Sequence, residues 1–215
     1  MNLPAIQAAL RAHGLDGWLF TDHHQRDPMA YRILGLDSRG IVSRRWWYFI
    51  PSVGEPVKLA HRVEPRKLDP LPGRQEHYLA WTELHAKLKA IVGGAKTIAM
   101  QYSPENNIPY IGLVDAGTVE LIRSFGPTVA TSADLVQQFE ATVGDEGLAS
   151  HAWAGERVQR IKDEAFGWMA KALRDRATVT EYELKERILA RFEEEGMTSD
   201  GESPIAGSDE RSTIH

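Results

Sequence analysis

The hydrophobic pattern changes character once along the 215-residue chain, near residue 140. Before that point, short apolar runs that are typical of buried strands alternate with segments whose apolar residues recur every three or four positions. After it, the apolar residues from Leu148 to Leu173 keep a helical spacing, and no run typical of a strand appears. The sequence therefore predicts an α/β domain over residues 1–140 and a separate helical segment over residues 141–215.

Aromatic and apolar runs mark the strands of the predicted sheet. The run Gly17-Trp18-Leu19-Phe20 is typical of a buried strand, and residues 44–51 and 56–62 predict a hairpin around a short turn. Successive side chains of a strand point to opposite faces of the sheet. Trp46 and Trp47 are therefore expected on opposite faces, with one of them exposed and available for a subunit contact.

Three helix starts carry recognisable capping residues. Asp27 precedes Pro28, Ser132 precedes a segment with an acid in its first turn, and Thr180 with Glu183 matches a capping box. Another helix is predicted after the proline-rich loop 65–73, with an apolar face formed by Trp81, Leu84, Leu88 and Ile91.

Composition excludes several classes of protein. The chain has no cysteine, which excludes disulfides, thiolate metal sites and cysteine nucleophiles. Its net charge of -5 argues against a general nucleic-acid surface, although the charge is +3 over residues 1–132 and -8 over residues 133–215. The longest apolar run, residues 46–50, is far shorter than the roughly 20 residues that span a bilayer. With no secretory signal visible, we expect a cytoplasmic protein that binds neither membranes nor nucleic acids.

No complete catalytic constellation emerges from the residues themselves. None of the eight histidines stands in the H-E-x-x-H arrangement, and no glycine-rich phosphate loop is present. The densest set of possible ligands is His23 and His24 with Asp22 and Asp27, which we interpret as a polar strand-to-helix turn with capping carboxylates. Arg44 and Arg45 before two tryptophans could contact phosphates while the rings stack on bases, but an aromatic strand beside surface charges is the favoured interpretation.

The order of several short motifs resembles the creatinase/prolidase/aminopeptidase P family of metallopeptidases, and within it an Xaa-Pro peptidase branch. Each motif is degenerate, but together they follow the family's order over almost the whole chain. They are Gly14-Leu15-Asp16-Gly17-Trp18-Leu19, Tyr31-Arg32-Ile33-Leu34-Gly35, Tyr48-Phe49-Ile50-Pro51 with Gly54-Glu55-Pro56-Val57, Asp163-Glu164-Ala165-Phe166, and Thr180-Glu181-Tyr182-Glu183-Leu184.

This resemblance implies a fold in two parts. Residues 1–140 would form a creatinase-type N-terminal domain with a mixed sheet and flanking helices. Residues 141–215 would form two long helices from the start of a pita-bread α+β catalytic domain. The complete family enzyme hydrolyses the peptide bond before proline with two divalent metal ions (manganese, cobalt or zinc), and a homodimer is expected.

The resemblance also implies that the family's five metal ligands lie beyond residue 215. We therefore expect a truncated chain that holds no metal and is inactive alone. His215 aligns with a family histidine that contacts the substrate, which makes it the one candidate site residue. An alternative ligand set in the tail, Asp200, Glu202, Asp209, Glu210 and His215, lacks a rigid scaffold and is disfavoured.

Two other functions remain open at this stage. The chain could be a non-catalytic creatinase-like module for protein binding or oligomer assembly, a role that the aromatic hairpin and the lack of a ligand set would suit. The parent enzyme could also be a creatinase-like amidinohydrolase, because the residues that determine the substrate would lie downstream.

Overall fold

The computed structural model describes residues 1–199, 204, 206 and 207. Met1–Thr142 and Val143–His215 are two compact units. None of the helices in the described ranges combines the length with the apolar character that crossing a bilayer requires. The candidate site residue His215 lies outside the described residues, as do Asp200, Glu202, Asp209 and Glu210 of the alternative ligand set.

The first unit is built around one six-stranded mixed sheet with the strand order β4-β3-β2-β1-β5-β6. Strands β1 and β2 pair antiparallel, as do β2 and β3, whereas the pairs β3–β4, β1–β5 and β5–β6 are parallel. The strands are β1 (Gly17–Asp22), β2 (Trp46–Pro51), β3 (Val57–His61), β4 (Arg74–Tyr78), β5 (Thr97–Met100) and β6 (Thr128–Thr131).

Helices cover both faces of this sheet. They are α1 (Leu3–Ala12), α2 (Pro28–Leu34), α3 (Trp81–Val92), α4 (Ala116–Ser124) and α5 (Ala133–Phe139). Helices α1, α2 and α5 pack over one face, and α3 and α4 pack over the other, so two hydrophobic clusters lie on either side of the strands. The expected mixed sheet with flanking helices is confirmed.

Trp46 and Trp47 lie on opposite faces, as the strand period requires, but each is only 1% exposed. Trp46 belongs to the cluster under α1, α2 and α5, and Trp47 to the cluster under α3 and α4. The expectation that one of them is exposed was wrong because helices cover both faces of the sheet and bury most side chains of its central strands.

Capping at the helix starts follows the predicted residues in two of the three cases. Asp27 Oδ1 accepts the N–H of Ala30 at 2.9 Å, and Thr180 forms a complete capping box with Glu183. Ser132 occupies the N-cap position of α5, but its hydroxyl is buried without a hydrogen bond in the described part of the chain. The N–H of Ala133 instead donates to the hydroxyl of Thr131 at 3.2 Å.

The second unit contains the two expected long helices, α6 (Asp145–Arg174) and α7 (Glu181–Glu194). With 30 residues, α6 is about 45 Å long. The two helices are joined by ion pairs, in which Arg160 and Arg191 share Glu195 while Arg191 also pairs with Glu164. Only Ile161 and Ala165 are buried on α6, and no side chain is fully buried on α7.

Candidate functional site

An open cleft of about 890 Å³ lies in the first unit, at one edge of the sheet. Strands β1, β3 and β4 run in the same direction, so their carboxyl ends meet at this edge, where the antiparallel β2 begins. Ligands of open α/β sheets bind outside the carboxyl ends of strands. The residues that line it are His23, Arg26, Ser43, Arg44, Arg45, His61, Tyr78, Leu79, Trp81, His85, Asp115, Gly117, Thr118 and Leu121.

The segment that carries Arg44 and Arg45 is held in place by hydrogen bonds. Both the N–H and the hydroxyl of Ser43 donate to Glu64 Oε1, at 2.9 and 2.6 Å. Although partial burial raises it, the pKa of the Glu64 carboxyl lies below its ordinary value because these donors stabilise the charged form. The hydroxyl of Tyr78 donates to the backbone oxygen of Arg45 at 2.6 Å. A residue of the loop after β3 and the last residue of β4 thus fix the backbone at the arginine pair.

Positive charge dominates the cleft. The guanidinium groups of Arg26, Arg44 and Arg45 make no ion pair with any carboxylate of the described residues, and Asp115 is the one acidic residue in the lining. The pKa of His23 is lowered, first by burial and then by electrostatic repulsion from His24, Arg26 and Arg45, while a backbone hydrogen bond with Ser43 opposes the shift. The lowered pKa favours the neutral form of His23 at pH 7.

Two other histidines have defined positions in the cleft. The N–H of Val63 donates to Nδ1 of His61 at 3.0 Å, so a neutral His61 ring carries its proton on Nε2, which lies 3.1 Å from the backbone oxygen of Leu79. The ring of His85 lies edge-on to Trp81 at 5.4 Å between centroids. Trp81 is 67% exposed and forms an aromatic wall of the cleft.

Asp22 organises the turn beneath the cleft, at the end of β1. Its carboxylate accepts the backbone N–H groups of Gln25, Arg26 and Asp27 and the hydroxyl of Tyr31, at 2.7 to 3.1 Å. These four donors occupy the carboxylate, so the cluster of Asp22, Asp27, His23 and His24 is a polar strand-to-helix turn, as predicted.

The described residues do not fit a two-metal centre. Nowhere in residues 1–199, 204, 206 and 207 do three or more His, Asp or Glu side chains converge to hold a metal ion. The carboxylates nearest the cleft are already engaged, since Asp22 binds backbone amides and Asp115 accepts both the N–H and the hydroxyl of Thr118. No catalytic step through a metal is therefore derived for this part of the chain.

Sequence reasoning missed most of this cleft. Trp81 was assigned to the buried face of its helix, whereas Leu84, Leu88 and Val92 form that face. The sequence places Arg44 and Arg45 beside Trp46 and Trp47, but the tryptophan that shares their cleft is Trp81, 36 residues beyond Arg45. Without strand β4, which the sequence did not predict, the neighbourhood of the arginine pair and Trp81 could not be recognised.

Comparisons with known proteins show which solved structures share this architecture. No protein-family model matches the sequence, and no curated protein matches it. The dipeptidase PepE from Mycobacterium ulcerans is similar in structure, with a TM-score of 0.54, 17% identity, and coverage of 88% of this chain and 48% of that chain. The prolidase from Thermococcus sibiricus is similar with a TM-score of 0.53 and 16% identity, over 94% of this chain and 52% of that one.

A proline dipeptidase structure from Streptococcus pneumoniae is similar with a TM-score of 0.50 and 14% identity, over 66% of this chain and 98% of that chain. The present chain thus spans about half the length of the dipeptidase and prolidase chains from Mycobacterium ulcerans and Thermococcus sibiricus. Identities this low establish the fold alone. At that level the expected creatinase/prolidase-type fold is confirmed: the chain shares the fold of these prolidase and dipeptidase structures, with a mixed sheet and flanking helices followed by two long helices.

Proposed function

We propose that this chain is Xaa-Pro peptidase-like and that its described residues form the scaffold of such a protein. The observation that carries the proposal is the structural similarity to a prolidase and a dipeptidase, which extends over 94% and 88% of this chain and so includes both units. In this proposal, α6 and α7 begin a pita-bread catalytic region, and the substrate is a peptide with proline after the scissile bond. The protein is proposed to be a cytoplasmic homodimer.

The arrangement of the side chains that could bind metal ions supports a scaffold role for the described part of the chain. A two-metal peptidase centre needs several carboxylates and a histidine around the two ions. The described residues bring no such group together. We propose that the 215-residue chain by itself neither holds stoichiometric manganese, cobalt or zinc nor hydrolyses Xaa-Pro bonds.

The test combines a metal analysis, light scattering, and activity assays with dipeptides and with creatine on the purified chain. Metal content is measured by mass spectrometry after incubation with Mn²⁺, Co²⁺ or Zn²⁺ and gel filtration, and hydrolysis is followed with a Leu-Pro dipeptide, with Leu-Gly as the control substrate. We expect substoichiometric metal, no turnover, and a mass by light scattering of twice the 24.1 kDa chain. Stoichiometric metal with Leu-Pro turnover would overturn the scaffold role, and turnover of creatine under the same conditions would overturn the peptidase assignment.

A non-catalytic module for protein binding or oligomer assembly is the second candidate. It is favoured by the core of Met1–Thr142, which fills both faces of its own sheet. A folded, monodisperse monomer or dimer that forms a stoichiometric complex with a different protein would favour this candidate. An insoluble or partly unfolded chain would count against it.

A further inference from the structure

We propose that the cleft at the carboxyl edge of the sheet binds a small ligand that carries a phosphate group, with Arg26, Arg44 and Arg45 as its donors. This site lies in the first unit and goes beyond the proposed peptidase scaffold, so it can be tested separately from it.

The first argument is the unbalanced charge of the cleft. The chain as a whole has a net charge of -5, yet three arginines line one cleft, and Asp115 is the single acidic residue of that lining. Arg160 and Arg191 pair with Glu195 in the second unit, whereas none of the three cleft arginines pairs with a carboxylate of the described residues. Unpaired charges that gather in a concave site raise the local concentration of ions of opposite sign.

The second argument is that the donors are positioned in advance. The hydrogen bonds from Ser43 to Glu64 and from Tyr78 to the Arg45 backbone hold the arginine pair at the start of β2. Arg26 follows Asp22, which fixes the turn by accepting the Arg26 N–H at 2.7 Å. A ligand therefore need not order these backbone segments when it binds, which lowers the entropic cost of binding.

The number of donors favours phosphate over a single carboxylate. A guanidinium group presents its N–H groups as a planar fork that matches two oxygens of an oxyanion. Three such forks offer more donors than one carboxylate can accept, whereas a phosphate dianion presents three oxygens and a matching charge. Trp81, 67% exposed on the wall of the same cleft, gives an apolar or aromatic part of the ligand a surface to contact.

Isothermal titration calorimetry with the full chain tests the site, with inorganic phosphate and phenyl phosphate as probes at constant ionic strength and about pH 7.5. We expect one saturable site per chain, tighter for phenyl phosphate than for phosphate. Replacing Arg45→Gln or Arg26→Gln should weaken phosphate binding at least about tenfold, because each removes a charge-assisted hydrogen bond. Trp81→Ala should remove the advantage of phenyl phosphate and leave inorganic phosphate unchanged.

The matched control is Arg66→Gln, which removes an exposed arginine outside the cleft lining. It should bind both probes as the parent does, and near-ultraviolet circular dichroism should show that every variant is folded. Binding that is absent, that does not saturate, or that weakens equally in the Arg66 variant would overturn the site. Succinate binding as tightly as phosphate would overturn the assignment of the ligand as a phosphate.

Discussion

The buried carboxyl group of Asp27 leads to a quantitative prediction about stability and pH. Asp27 is 2% exposed, its Oδ1 caps α2, and its Oδ2 has no hydrogen-bond partner within the described residues. Burial raises the pKa of Asp27 from 3.8 to about 6, and the neighbouring Asp22 adds to the rise while the N–H of Ala30 opposes it. The folded protein therefore binds the Asp27 proton more tightly than the unfolded chain does.

The sign and size of the effect follow from this pKa. A group whose pKa is raised on folding favours the folded state while it is protonated and loses that advantage as pH rises. The loss begins near the unfolded pKa of 3.8 and is complete above the folded pKa of about 6. Since one pKa unit corresponds to about 1.4 kcal/mol, the ionised Asp27 lowers the free energy of unfolding at pH 7 by about 3 kcal/mol.

Replacing Asp27→Asn removes the charge and keeps a capping oxygen, because asparagine and aspartate are similar N-caps. We expect the variant to match the parent near pH 4 and to become more stable than the parent as pH rises, by up to about 3 kcal/mol at pH 7. Urea denaturation followed by tryptophan fluorescence, at several pH values between these limits, measures the difference.

Asp115→Asn is the matched control, because Asp115 caps α4 through Thr118. Although partial burial raises it, the pKa of Asp115 is lowered overall by hydrogen bonds from the hydroxyl and N–H of Thr118. This variant should lose stability relative to the parent as pH rises from below the lowered folded pKa to the unfolded pKa of 3.8, with no further change above it, which is the opposite sign in a different pH window. A stability difference for Asp27→Asn that does not change with pH would refute the reasoning about its burial.

Three further predictions test the packing. Trp46→Ala should cost about 3 to 5 kcal/mol in urea denaturation, whereas Trp81→Ala should stay within about 0.5 kcal/mol of the parent. Gly54→Ala should cost about 1 to 2 kcal/mol because of its positive φ, and Gly73→Ala should cost more because its Cβ would also clash with the backbone oxygen of Pro56. Hydrogen exchange should be slower in β1 and β2 than in α6 and α7, because α6 buries two side chains and α7 none; equal protection would contradict this.

Local signals in the sequence were sufficient where the chain itself supplies the partner. The capping box of Thr180 and Glu183 and the cap of α2 by Asp27 involve residues three positions apart, so their spacing predicts the hydrogen bonds. Gly35 ends α2 with a φ of 68°, a conformation that glycine adopts at little cost. These elements required no knowledge of the sheet.

Strand β4 shows where such signals fail. Its sequence, Arg74 to Tyr78, is polar and has no apolar alternation, because β4 lies at the edge of the sheet. Charged side chains are typical of edge strands, which they protect from pairing with other chains. The strand exists because β3 offers it a parallel partner, and that information is absent from the five residues themselves.

The sequence by itself determined the alternation of helices and strands, the helix starts, and the change to an all-helical segment near residue 140, because these depend on the spacing of neighbouring residues. The tertiary structure decided that both Trp46 and Trp47 are buried, since that depends on helices covering each face of the sheet. It also decided that Arg26, Arg45 and Trp81 share one cleft. Those residues are far apart in the chain. Their charge and their aromatic surface come together because strand pairing brings the carboxyl ends of β1, β3 and β4 to the same side of the sheet.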